Sequence, residues 1–122
     1  MILADTSVWI DHFRSADPAL QKALYQGQVV IHPWVTAELA LGSLRDRAKT
    51  LAMLDLLPQA RVAQLTEVRW MIEARGLFSL GIGLANAQLV ASALLDPPTL
   101  LWTRDKELRR VAERLNIHAK LF

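Results

Sequence analysis

The chain has no cysteine, so it can hold neither a disulfide framework nor a thiolate metal site. Its three histidines, His12, His32 and His118, stand far apart with no metal-ligand spacing, which leaves them core or surface roles. No apolar run approaches the roughly 20 residues of a membrane span; the longest, Leu89 to Leu95, is interrupted by Ser92. The opening residues do not read as a secretory signal, because Asp5 and Asp11 interrupt them and no basic residue precedes the apolar part. These absences point to a cytoplasmic protein with no membrane partner. Charge of one sign is scarce too. The net charge is +2 over 122 residues. Residues 1–60 carry five basic and six acidic side chains, and residues 61–122 carry nine and six. That is no dense basic stripe of the kind that binds nucleic acid by charge alone. Gly81 and Gly83 are not followed by the Gly-Lys-Ser/Thr of a P-loop. Asp5-Thr6-Ser7 lacks the second acid of a D-x-D phosphatase, and Ser7 and Ser92 have no matched base nearby.

What is present is apolar and arrives in short pieces. Hydrophobic residues make up 52% of the chain, enough for one core and a buried contact with another subunit or partner. Met1 to Ala4, Val29 to Ile31, Arg61 to Ala63, Thr99 to Trp102 and Ile117 to Leu121 read as short strands. Between them run helical patterns: Val8 to Phe13, a segment opened by Asp17-Pro18 and closed at Gly27, Trp34 to Leu41, Arg45 to Leu57, a segment capped by Thr66, Leu84 to Leu95, and Lys106 to Leu115. Short strands alternating with helices predict an α/β fold: a parallel sheet of four to five strands with helices on both faces. There is no repeat, linker or low-complexity segment, so residues 1–122 form one domain. Trp9, Trp34, Trp70 and Trp102 fall on apolar faces or strands and are expected in the core.

Four polar positions stand out: Asp5 after the first strand, Glu38 in a helix, Asn86 near a helix start, and Asp105 after the strand ending at Trp102. Taken singly, Asp5 and Asp105 read as helix N-caps, Glu38 as a solvated residue and Asn86 as a locally hydrogen-bonded amide. Taken together, two strands deliver carboxylates to one edge of a sheet, where α/β proteins place their chemistry. Bare carboxylates about 4 Å apart repel by about 4 kcal/mol at an effective dielectric near 20. A hard divalent cation removes that cost, and Mg²⁺ or Mn²⁺ takes oxygen ligands while keeping several waters. The basic cluster Arg104, Lys106, Arg109, Arg110 and Arg114 reads as a solvated helix face that can also steer RNA phosphates.

The segments ILADTSVWID, TAELALG, GIGLANAQLVASALL and LWTRDKEL, in that order, resemble the PIN-domain family, and within it the VapC-type toxins of bacterial toxin–antitoxin pairs. The resemblance spans essentially the whole chain. It implies a Mg²⁺- or Mn²⁺-dependent endoribonuclease, usually a homodimer, held silent by a VapB-like antitoxin. It assigns the metal to Asp5 and Asp105, gives Glu38 a direct or water-mediated part, and makes Thr6 and Thr103 hydroxyl neighbours. The chain departs from the pattern at Asn86, where the family carries its third acid. An amide offers a carbonyl oxygen but no charge and no base, so weaker metal binding and slower cleavage are expected. The alternative is a catalytically silent PIN fold that binds antitoxin or RNA without cutting.

Overall fold

Strand β1 (Ile2–Ala4) is the axis of the sheet. In the computed structural model, which describes residues 1–121, it pairs in parallel with β2 (Val29–Val30) on one side and β3 (Leu100–Trp102) on the other. Ile2 lies opposite Val29 and Leu100, and Ala4 opposite Trp102. Leu3, Ala4, Val29, Leu101 and Trp102 are all buried, which is why these strands are apolar throughout instead of alternating. The two outer strands expected from the sequence reduce to single parallel bridges among the described residues, Ile31 with Gln59 and Leu101 with His118. On the first of these edges, the Ile31 amide donates to Pro58 O and the Ala60 amide to Ile31 O. Pairing therefore ends before Arg61–Ala63, the segment expected to be a strand. Instead, the amide group of Gln88 accepts from Ala63 N (2.7 Å) and donates to Ala63 O (2.9 Å), standing in for the neighbouring strand.

Among the described residues, seven helices carry the chain between and beyond these strands: α1 (Thr6–Arg14), α2 (Pro18–Tyr25), α3 (Pro33–Ala40), α4 (Arg47–Leu56), α5 (Leu65–Arg75), α6 (Leu84–Leu95) and α7 (Lys106–Arg114). Helix α1 begins two residues earlier than its apolar pattern suggests, because Asp5 caps it directly. Asp17 and Pro18 start α2 as expected. Helix α5 starts at Leu65 instead of after Thr66, since the Glu67 carboxylate reaches back to accept the Gln64 amide at 2.8 Å. It ends at Gly76, whose φ of 62° is a left-handed cap that suits glycine. Residues 87–93 of α6 are buried without a break, so the middle of this helix is surrounded by protein on every side. On α5 the buried line is Val68 and Met71. Trp70 falls between them on the outward face and is 72% exposed, a correction to its expected place in the core. Trp9 and Trp102 are buried as expected, and Trp34 is half-buried.

The chain leaves β1 for a neighbour on one side and returns to β1's other side with β3. The carboxyl ends of β1 and β3 are therefore at the switch point of the sheet, where α/β proteins place their ligands.

Candidate active site

Asp5 and Asp105 each follow a strand and cap the next helix. The Asp5 carboxylate accepts from Val8 N at 3.3 Å, and Asp105 Oδ1 accepts from Leu108 N at 2.9 Å. The local reading of both as N-caps therefore holds. The parallel register of β1 and β3 brings these two caps side by side, and one hydroxyl joins them. Thr103 Oγ1 donates to Asp5 Oδ2 at 2.5 Å and accepts from the Asp105 amide at 3.0 Å. The second oxygen of Asp5 accepts from Ser7 Oγ at 2.5 Å, and that hydroxyl accepts from the Arg104 amide at 3.0 Å. Thr6, next in the chain, donates to Glu38 Oε1 at 3.0 Å across to α3. Three of the four singled-out positions are thus tied to one corner through the hydroxyls of Thr6 and Thr103.

The fourth, Asn86, sits half-buried in the first turn of α6, and its side chain makes no hydrogen bond among the described residues. The loop leading to it lies along α7. A Cβ at Gly81 (φ +81°) would stand 3.5 Å from Glu107 Cγ.

The electrostatics of the corner are unbalanced. Asp5 is only 4% exposed. Burial pushes its carboxyl above the ordinary 3.8, and the hydrogen bonds from Ser7, Thr103 and Val8 offset only part of this. Among the described residues none of Asp5, Glu38 and Asp105 forms an ion pair. Of the two cations that flank Asp105 in the chain, Arg104 is committed elsewhere, to Asp11 (2.7 Å) and Asp17, and Lys106 pairs with no acid among the described residues. A carboxylate offers about four lone-pair directions. Asp5 uses two on Oδ1 and one on Oδ2, so Oδ2 retains room for one more bond. Asp105 Oδ2 and Glu38 Oε2 accept nothing among the described residues. No group of three or more His, Cys, Asp or Glu side chains is placed to hold a metal ion among the described residues. The donors do not form an all-protein cage. They fit a hydrated Mg²⁺ or Mn²⁺, which needs one or two carboxylates and fills its other positions with water.

Of the basic cluster, Arg104 is ion-paired, Arg110 is 3.5 Å from Glu107, and Arg114 donates to Arg75 O. Lys106 and Arg109 are exposed with no ion pair among the described residues. Beside Glu38 an open groove of about 650 Å³ runs between α1 and the segment that follows α3, lined by Ile10, Phe13 and Leu39 with Arg14 and Arg45. Sequence reasoning weighed Ser7 only as a nucleophile and missed both its bond to Asp5 and the pairing of Arg104 with Asp11 and Asp17. Ser7 carried a local signal, a hydroxyl two residues after a capping Asp, whereas the Arg104 pairs join residues more than 80 positions apart and had none.

Residues 2–114 match the PIN domain. The chain belongs to the PIN-domain family. It is also 43% identical over 109 residues to Ribonuclease VapC32 of Mycobacterium tuberculosis, in two strains, covering 89% of this chain and 88% of the relative. The likeness runs nearly end to end in both proteins and makes this a PIN domain of the VapC type. Its α/β architecture, a parallel sheet between helices, is the one the strand–helix alternation implied.

Proposed function

We propose that this PIN domain is an RNA-cutting toxin: an endoribonuclease dependent on Mg²⁺ or Mn²⁺, neutralised by a VapB-like antitoxin and acting in the cytoplasm as a homodimer. The observation that carries the reading is the hydroxyl of Thr103, which joins the carboxylate of Asp5 to the backbone of Asp105 across two strands. In this reading Asp5 and Asp105 would hold the ion, and Glu38 would act from α3 directly or through a water. When bound, the ion lowers the pKa of a water and offsets charge on the phosphodiester. The protein's part is orientation. Thr103 and Ser7 hold the two oxygens of Asp5 in place, Thr6 holds Glu38, and the cap bonds to Val8 and Leu108 keep both aspartates from turning away.

Asn86 stands where a further acid would add charge, so the ion is held more weakly and cleavage is slower. Lys106 and Arg109 are free to meet RNA phosphates beside the site, and the groove past Glu38 suits an antitoxin segment. Exposed Trp70 and Leu65 are apolar surface available to a second copy. The relative's name, a ribonuclease, supports the same chemistry.

Asn86 also favours a second reading: a PIN fold that binds antitoxin or RNA without cutting. One assay separates the two. RNA is incubated with Mg²⁺ or Mn²⁺, or with EDTA, using this chain and its Asn86→Asp variant. Slow metal-dependent cleavage by this chain and faster cleavage by the variant support the nuclease. Cleavage by Asn86→Asp alone favours the silent reading for this chain. No cleavage by either, with tight antitoxin binding by both, removes the nuclease proposal.

A further inference from the structure

Arg104 lies between Thr103 and Asp105, the two residues of the β3–α7 corner that face Asp5. Its own side chain points the other way. One guanidinium nitrogen donates to Asp11 Oδ2 on α1 at 2.7 Å, and the other donates to Asp17 Oδ2, the residue that caps α2 through Leu20 N at 3.0 Å. The guanidinium also stands 5.9 Å from the centroid of the buried Trp102 ring. Its backbone amide closes the arrangement by donating to Ser7 Oγ. Asp17 is only 9% exposed. Burial pushes its carboxyl up, yet the Leu20 amide and the Arg104 guanidinium together outweigh this and hold it below the ordinary 3.8, so it stays charged against Arg104.

Asp5 and Asp105 belong to separate strands and separate helices. The β1–β3 ladder, which ends with the Asp5 amide donating to Trp102 O at 3.0 Å, fixes the backbones of the two corners, and beyond it they are joined by the Thr103 and Ser7 hydroxyls and this guanidinium fork. A planar fork gripping two carboxylates on different helices restrains both distance and orientation, which a single ion pair does not. We propose that Arg104, held by Asp11 and Asp17, is a positioning residue: past the end of the strand ladder it holds the β3–α7 corner against α1 and the start of α2, so that Asp5 and Asp105 are placed as they would be to hold a divalent ion, and it does not contact RNA. The assignment rests on the reading that Asp5 and Asp105 hold such an ion.

The test uses RNA-free protein. Mn²⁺ affinity is measured by titration calorimetry for the wild-type chain and for Arg104→Met, Arg104→Lys and Asp17→Asn. Met keeps the apolar stem over Trp102 without the charge, and Asn keeps the helix cap without the ion pair. Urea unfolding shows that each variant folds, and binding of an oligoribonucleotide in EDTA at several salt concentrations reads RNA contact. The expected result is a loss of Mn²⁺ affinity of about 10–100-fold in Arg104→Met, the scale for groups that orient metal ligands. Arg104→Lys should lose less, Asp17→Asn should lose affinity with its cap intact, and the Met/Asn double variant should be no worse than the Met variant alone. RNA affinity and its salt dependence should not change. Wild-type Mn²⁺ affinity in folded Arg104→Met and Asp17→Asn overturns the proposal, as does a loss confined to RNA binding. A wild-type chain that takes up no Mn²⁺ removes the metal reading itself, and the proposal with it.

Discussion

Asp5 serves as both helix cap and buried charge, and the two roles pull its proton in opposite directions. The cap bonds favour the carboxylate, but burial outweighs them and raises the pKa. For an acid raised in the fold, the stabilising contribution is complete below the unfolded value near 3.8 and is lost as pH climbs through the raised value. In metal-free protein at neutral pH, ionised Asp5 is therefore a net cost. Asp5→Asn, which still caps a helix, should raise the urea midpoint by the equivalent of about 1 kcal/mol while abolishing Mn²⁺ binding. A lower midpoint would show that the carboxylate stabilises the fold. His32 illustrates the opposite sign. It is fully buried, and Nδ1 accepts the Trp34 amide at 2.9 Å, so the proton sits on Nε2, facing Ser92 at 3.0 Å and Gln88 at 3.3 Å. Burial lowers its pKa below 6.5, against a smaller raising effect from Gln88. The unfolded chain takes up this proton near 6.5 and the folded one resists it, so stability should fall as pH drops below 6.5. Histidine NMR titration should find the His32 ring titrating below the ordinary 6.5, and His32→Gln should remove its share of the acid sensitivity. His12, also lowered by burial, adds to it with the same sign.

At the scale of elements, α6 takes the place of a missing strand. Gln88 is 2% exposed and satisfies both backbone groups of Ala63 while touching His32 and Ser92. An apolar replacement fits the burial but orphans a buried N–H and a buried C=O, each worth about 1–3 kcal/mol. Gln88→Leu should therefore destabilise the protein by about 2–4 kcal/mol in urea unfolding. A loss below about 0.5 kcal/mol would mean that water replaces the amide, since such a small change is typical of surface substitutions. The same contact explains why residues 61–63, expected as a strand, form none. A strand needs a backbone neighbour over several residues, and here the neighbour is one side chain.

Across the whole molecule, the α/β class and the PIN family were legible because both rest on patterns local in the chain: apolar runs of three or four residues, acids just beyond them, Asp17-Pro18 at a helix start. The number of strands was not legible. Whether Gln59 and His118 join a sheet for one residue or for four depends on what lies beside them. Trp70 was misplaced for a related reason, since Val68 and Met71 nearby on the helix are buried and only the helix's orientation turns Trp70 outward.

The proposed metal site carries its own whole-molecule prediction. Ligand binding stabilises the folded state in proportion to affinity, by about 2.7 kcal/mol at a hundredfold excess over Kd. Asn86→Asp should gain a larger Mg²⁺-induced rise in Tm than this chain, and EDTA should cancel the rise in both. Equal shifts would mean that position 86 does not touch the ion.

By itself the order of residues determined which side chains could do chemistry and which strand ends would carry them, since both follow from neighbours a few positions apart. Only the folded structure decided that Thr103 joins Asp5 to Asp105 and that Arg104 turns from the site toward Asp11 and Asp17. Those contacts span up to 98 positions of chain, and they exist only because β1 and β3 pair in one parallel register.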